Sequence, residues 1–278
     1  MTLAYACIAP HGGEIIPLLA SRLAARKFSE TREGMRKIAR AINNSKPDTI
    51  VIASPHNLRL DSNIGIVTAE NSTGSLKGDN GQSVSLTVRC DVEFARRLFR
   101  KARMRQLPVI AANYGTASGE TSNMPMDWGT LVPLWFLLKH EKPPPRVVIV
   151  APSREIPVRE NYRFGRVLGQ FIQQTRSKKV VFVASADQAH AHKRSGPYGY
   201  HPAAAKYDQL TADAVKSNRL KSLLALPARF VENAKPDSLW QIAILAGVTD
   251  IVPCVSQFIS YQVPTYYGMI CALFHPVN

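Results

Sequence analysis

Four of the seven histidines in this 278-residue chain fall just after short apolar runs that read as β-strands. His11 follows residues 3–10 in Ala-Pro-His-Gly-Gly-Glu, and His56 follows residues 49–54 in Ala-Ser-Pro-His-Asn. Residues 180–185 lead into Ser-Ala-Asp-Gln-Ala-His-Ala-His, which brings Asp187, His190 and His192 to the same kind of position. A single histidine so placed is more often a partly buried, hydrogen-bonded side chain than a ligand. Several together, two of them in the same Pro-His device, point to a metal. Neutral imidazole is the commonest protein metal ligand, and two imidazoles with one carboxylate leave coordination positions open, as in non-haem Fe(II) oxygenases. The carboxylate is open at this level: Glu14, Asp127, Asp187, Glu232 and Asp237 all qualify, and periodicity does not choose among them.

Elements that could hold such residues are legible. The runs at residues 3–10, 49–55, 147–152 and 180–185 are short, rich in Val, Ile and Ala, and bounded by polar residues or Pro, the pattern of strands covered on both faces. Between them, Met35, Ile38, Ala39 and Ile42, and then Phe164, Val167, Leu168, Phe171 and Ile172, recur at helical spacing. The alternation predicts an α/β fold with helices layered around a mixed, largely parallel central sheet. Residues 64–69 and 85–90 read as an antiparallel insertion joined by a long Gly/Asn/Ser-rich loop over 71–83. No linker-like shift in composition, low-complexity tract or repeat divides the chain, so residues 1–278 are expected to form a single catalytic domain. In an open α/β sheet, ligands gather outside the carboxyl ends of the strands, where these histidines lie.

Composition narrows the function classes. A hydrophobic content of 45% supports a buried core, and no apolar run approaches the length of a membrane span. The start of the chain lacks a basic region and reaches a histidine too early for a signal peptide, so a soluble, cytoplasmic protein is expected. The cysteines, Cys7, Cys90, Cys254 and Cys271, are scattered and do not form a thiolate site or disulfide framework. The 35 Lys and Arg against 20 Asp and Glu give a formal charge of +15, which raises the question of polyanion binding. The densest cluster, Arg96, Arg97, Arg100, Lys101, Arg103 and Arg105, alternates with Val92, Ala95, Phe99 and Ala102 as the solvated side of an amphipathic helix would. Without interleaved aromatic residues, no nucleic-acid partner is expected. A homo-oligomer is expected on the general frequency of symmetric enzymes.

Five motifs in order carry a family resemblance over nearly the whole chain: Pro-His-Gly-Gly-Glu-Ile (10–15), Ser-Pro-His-Asn (54–57), Asp-Trp-Gly-Thr-Leu-Val-Pro-Leu (127–134), Ser-Ala-Asp-Gln-Ala-His (185–190) and Lys-Pro-Asp-Ser-Leu-Trp (235–240). The sequence resembles the class III extradiol ring-cleaving dioxygenases, the superfamily of the protocatechuate 4,5-dioxygenase catalytic subunit. The resemblance implies one Fe(II) per chain, held by His11, His56 and Asp237, with His190 as the acid/base residue. The substrates it implies are a small catechol- or aminophenol-type aromatic and O2. Two departures stand out. Many relatives have Glu where this chain has Asp237, which keeps Glu232 in reserve as the acidic ligand. Relatives also tend to have Asp-His-Gly-Thr where this chain has Asp127-Trp128-Gly129-Thr130; Asp127, Trp128 and His192 are the expected substrate contacts. Two other functions are compatible with the same residues: a divalent-metal hydrolase, with zinc in place of iron, and a metal-binding or interaction homologue without catalysis.

The segment over 193–202 combines turn formers, two tyrosines and two bases, and reads equally as a loop over the site or a plain connection. Tyr266 and Tyr267 are expected to serve packing.

Overall fold

The computed structural model describes residues 3–21, 26–138, 143–174 and 177–277. Four parallel strands form the centre of an eight-stranded sheet: β1 (Leu3–Ala9), β9 (Val180–Ser185), β2 (Thr49–Ala53) and β8 (Arg146–Ala151) lie side by side in that order. Their residues alternate between two apolar layers. Ala6, Ile8, Val51, Ala53, Val148, Val150, Phe182 and Ala184 face one, and Cys7, Ala9, Ile50, Ile52, Val147, Ile149, Val181 and Val183 face the other. A strand buried on both sides has no polar face to display, which is why each reads as an unbroken apolar run.

Antiparallel pairs close both sides of this centre. On one side β11 (Met269–Pro276) runs against β1 and β10 (Cys254–Gln262) against β11; on the other, β3 (Ile64–Val67) runs against β8, with β6 (Val109–Ala112) parallel to β3. The sheet is therefore mixed and largely parallel in its core, as the sequence predicts. Helices α2 (Val92–Met104), α4 (Val158–Gln174), α5 (Ala203–Lys216) and α7 (Leu239–Ile251) contribute to the first layer, and α1 (Ser29–Ser45) and α3 (Trp128–Leu138) to the second. The short α6 (Ala228–Ala234) packs beside α5. On α2 the buried residues are Phe94, Ala95, Leu98 and Ala102; of the expected apolar face, Ala95 and Ala102 are buried while Val92 and Phe99 are only half-buried, and the basic cluster lies on the remaining surface as expected.

The expected insertion takes a different form. The first of its two strands, β3, belongs to the main sheet, and the polar stretch read as a loop is itself a strand, β4 (Asn71–Lys77). It pairs along its length with β5 (Ser83–Arg89) and, in parallel, with β7 (Asn123–Pro125). Ser, Thr and Gly fill β4 because much of it is solvent-facing, so it lacks the apolar signature of a core strand. Gly74 is required there by close approach: a Cβ would meet the main chain of Met126. None of the described helices is long and apolar enough to cross a membrane. All four cysteines are buried and free, and burial raises every thiol, Cys90, Cys254 and Cys271 to about 12.

The tightest helix contact lies between α4 and α7. A Cβ on Gly165 would strike the backbone of Ile244, and one on Gly247 would strike the carbonyl of Tyr162. Helix α7 begins two residues after Asp237, so this crossing fixes the stem of a proposed ligand. Gly247→Ala should therefore destabilise the fold by about 1–3 kcal/mol through overpacking, even though alanine is the better helix former by roughly 1 kcal/mol. A urea midpoint unchanged or raised would contradict this helix–helix geometry.

Candidate metal centre

The four parallel strands deliver their successors to one rim: His11 after β1, Asp187 and His190 after β9, His56 after β2 and Arg154 after β8. There the chain brings His11, His56 and Asp237 together as a three-residue cluster able to hold a metal ion. His56 Nε2 lies 2.8 Å from Asp237 Oδ2, and His11 Nε2 lies 3.2 Å from both the same oxygen and His56 Nε2. The two rings are perpendicular, at 89°. Donor atoms about 2.1 Å from one ion and at right angles to one another lie about 3.0 Å apart, so these spacings are those of one triangular face of an octahedron. The donor set fits a divalent ion.

Hydrogen bonding sets the tautomer of His11. The Ser185 hydroxyl donates to the carbonyl of Gly129 (2.5 Å), so its oxygen is free to accept from His11 Nδ1 (3.0 Å). With the proton on Nδ1, Nε2 presents its lone pair to the cluster. The backbone N–H of His11 donates to Asp187 Oδ1 (2.9 Å), and Asp187 Oδ2 lies 3.4 Å from His11 Nε2. Burial lowers the pKa of His11 despite the neighbouring Asp187, and burial together with His11 lowers His56 to about 3. Both imidazoles are neutral at neutral pH, as ligation requires.

Asp237 is buried and tied by its main chain: its N–H donates to the carbonyl of Gln188 (3.3 Å), and its own carbonyl accepts from Gln241 Nε2 (2.7 Å). Its second carboxylate oxygen, Oδ1, is paired with Arg154, whose guanidinium lies 4.9 Å from the centre of the Trp240 ring. Burial and nearby Arg59 lower Arg154 to about 10, which leaves it charged at neutral pH. Glu232, the reserve ligand, lines the cavity but is not in the cluster.

His190 lies on the wall of the same cavity, of about 1000 Å³. Its Nδ1 is 2.9 Å from the carbonyl of Gln188 and 3.1 Å from that of Lys235, two acceptors, so Nδ1 carries the proton and Nε2 the lone pair. Its backbone N–H donates to the carbonyls of Ala234 and Lys235. Lys235 ends α6 in the left-handed conformation (φ 53°). Burial lowers His190 to about 4, so it is neutral at neutral pH.

The other expected contacts divide. Trp128, half-exposed, stacks on His56 with ring centroids 4.1 Å apart and lines the cavity. Asp127 is not among the lining residues: it accepts from the hydroxyls of Ser54 (2.5 Å) and Thr130 (2.7 Å) and from the Thr130 N–H (2.9 Å), so that it caps α3. His192 does not line the cavity either. Its Nε2 is 2.8 Å from Asp208, which also accepts from Tyr261 and from the N–H of Ala189, beside His190. The tyrosines assigned to packing reach the site: Tyr267 stacks on His190 at 5.1 Å and 13°, Tyr266 lies beside it, and Tyr198 of the 193–202 loop meets His190 edge-on. Sequence reading missed Arg154, although it follows a parallel strand just as the histidines do.

The chain belongs to the family described as the catalytic LigB subunit of aromatic ring-opening dioxygenase, whose model matches residues 5–269. It is similar to a Clostridium acetobutylicum protein designated CA_C1420, at 26% identity over 91% of this chain and 53% of that protein. The chain thus spans about half the length of that relative. It also superposes on the crystal structure of uncharacterized protein JW3007 from Escherichia coli, with a TM-score of 0.59 at 16% identity, over 97% of this chain and 99% of that one, a likeness of fold.

The depressed histidines should make the metal-free protein acid-labile. Unfolded histidines titrate near 6.5, whereas folded His56 and His190 titrate near 3 and 4, so below pH 6.5 the unfolded chain binds more protons. The stability of the metal-free protein should be fully present above pH 6.5 and fall as the pH drops toward 3. His190→Gln should flatten part of that fall in thermal melts; an identical pH slope in variant and parent would show that His190 is not held neutral.

Proposed function

We propose that this protein is an Fe(II)-dependent extradiol dioxygenase that opens the ring of a catechol- or aminophenol-type aromatic with O2. The observation that carries the reading is the pairing of an open His11–His56–Asp237 face with a neutral His190 whose Nε2 carries the lone pair, in one cavity. Fe(II) bound there would supply open coordination positions and the electrons that couple substrate to O2.

The chain's own residues account for the remaining requirements. His190 Nε2 accepts a proton from a substrate hydroxyl; its Nδ1–H, held by two carbonyls, keeps the ring oriented while the charge is present. Those carbonyls stabilise the imidazolium, so the histidine can return the proton later in the turnover. Asp187 lines the same cavity and adds a negative charge that favours the protonated ring. Trp128, Tyr266 and Tyr267 offer ring faces to the substrate, and the stack of Tyr267 on His190 limits rotation of the base. Apolar side chains, Ile156, Val158, Leu226 and Val231, line another part of the wall and exclude water.

Two measurements test the reading. After anaerobic loading with Fe(II), a panel of catechols and aminophenols should give O2 uptake and a visible ring-cleavage product for at least one member. Silence across the panel with iron bound would sink the proposal, and zinc retained with hydrolytic activity would replace it. His190→Ala should keep its iron and lose about 10²–10⁴-fold in kcat, the range of a general acid/base residue. Loss of iron instead would make His190 a ligand rather than a base.

A further inference from the structure

The carboxylate of Asp237 is shared between two partners. Oδ2 faces His11 and His56, while Oδ1 is engaged by Arg154. The Asp237 side chain is buried, at 6% exposure, and that of Arg154 is partly buried, at 25%. The guanidinium is held from a second direction by the Trp240 ring at 4.9 Å. Trp240 is on the first turn of α7, three residues after Asp237, so one segment carries both the ligand and the ring, while Arg154 reaches them from the loop after β8.

From this we infer that Arg154 is a positioning residue that holds Asp237 as a one-oxygen ligand. A short aspartate beside an ion can chelate it with both oxygens. Chelation would consume one more coordination position, and the proposed reaction needs three: two for the substrate oxygens and one for O2. An arginine ion-paired with Oδ1 competes with the metal for that oxygen, and its planar guanidinium offers a carboxylate more than a lysine's point charge does. The inference rests on the proposed function for its purpose, but its test concerns metal binding alone.

Co(II) serves as the probe, since its visible bands report both occupancy and coordination number without turnover. Arg154→Gln should bind Co(II) 10- to 100-fold more weakly than the parent, the usual cost of losing a partner behind a ligand. The bands should also weaken as Asp237 swings to chelate the ion. Arg154→Lys should recover part of the affinity. Trp240→Leu, which keeps the charge and removes the ring beneath it, should lose about 2- to 5-fold. A role for Arg154 toward a substrate anion alone predicts Co(II) affinity within twofold of the parent in Arg154→Gln; that result overturns the inference. Should Arg154→Gln fail to fold, Co(II) affinity within twofold in both Arg154→Lys and Trp240→Leu overturns it equally. A silent catechol panel together with weakened Co(II) binding would defeat the dioxygenase reading and leave this one standing.

Discussion

Three electron-rich atoms, two imidazole nitrogens and one carboxylate oxygen, are held within 3.2 Å of one another in the interior of this protein. Lone pairs so close repel unless a proton or a cation lies among them, and burial makes protonation of either ring costly. The architecture around them supplies the rigidity that such a convergence needs. Four parallel strands end at one level, and each passes a polar residue to the rim. The Ser185 hydroxyl, fixed by the carbonyl of Gly129, dictates which nitrogen of His11 carries the proton. A cation is the simplest neutraliser of the cluster, and family membership points to the same chemistry.

Division of labour among the carboxylates follows from their surroundings. Asp127, Asp187, Asp208 and Asp237 are all near the site, yet only Asp237 aims an oxygen at both histidines. Asp127 spends its oxygens on the start of α3, and Asp208 on His192, Tyr261 and the loop before His190. Asp187 takes the N–H of His11 with one oxygen and lies beside the cluster with the other, 3.4 Å from His11 Nε2. The same side-chain type serves as cap, brace and proposed ligand according to which donors reach it first.

How much of this was legible in the sequence depends on how far each feature is local. Strands buried on both faces announce themselves as apolar runs, and the Pro-His endings of two of them were visible at once. β4 was hidden because its exposed Ser, Thr and Gly residues resemble a loop, and its pairing with β5 and β7 is a tertiary fact. The choice of Asp237 among five acidic residues came from resemblance; the spatial cluster agrees with it, though no periodicity could have singled it out. Tyr267 looked like core because it is core, 5% exposed, and only the stack on His190 gives it a place in the site. Arg154 obeyed the same strand-end rule as the histidines, but a lone arginine after Ala-Pro-Ser carries no chemical signature of its own.

The stretch carrying Asp237 and the stretch carrying His190 are laced together through main-chain groups: the Asp237 N–H to the carbonyl of Gln188, and the His190 N–H to the carbonyls of Ala234 and Lys235. The ring of His190 leans on those same carbonyls of Gln188 and Lys235. Every amino acid has a carbonyl, so this bracing is indifferent to the identity of most side chains along both segments. Substitutions can accumulate there at little cost to the relative placement of base and carboxylate, provided that the backbone path through the left-handed turn at Lys235 is kept. Geometry written in peptide groups can outlast the sequence around it.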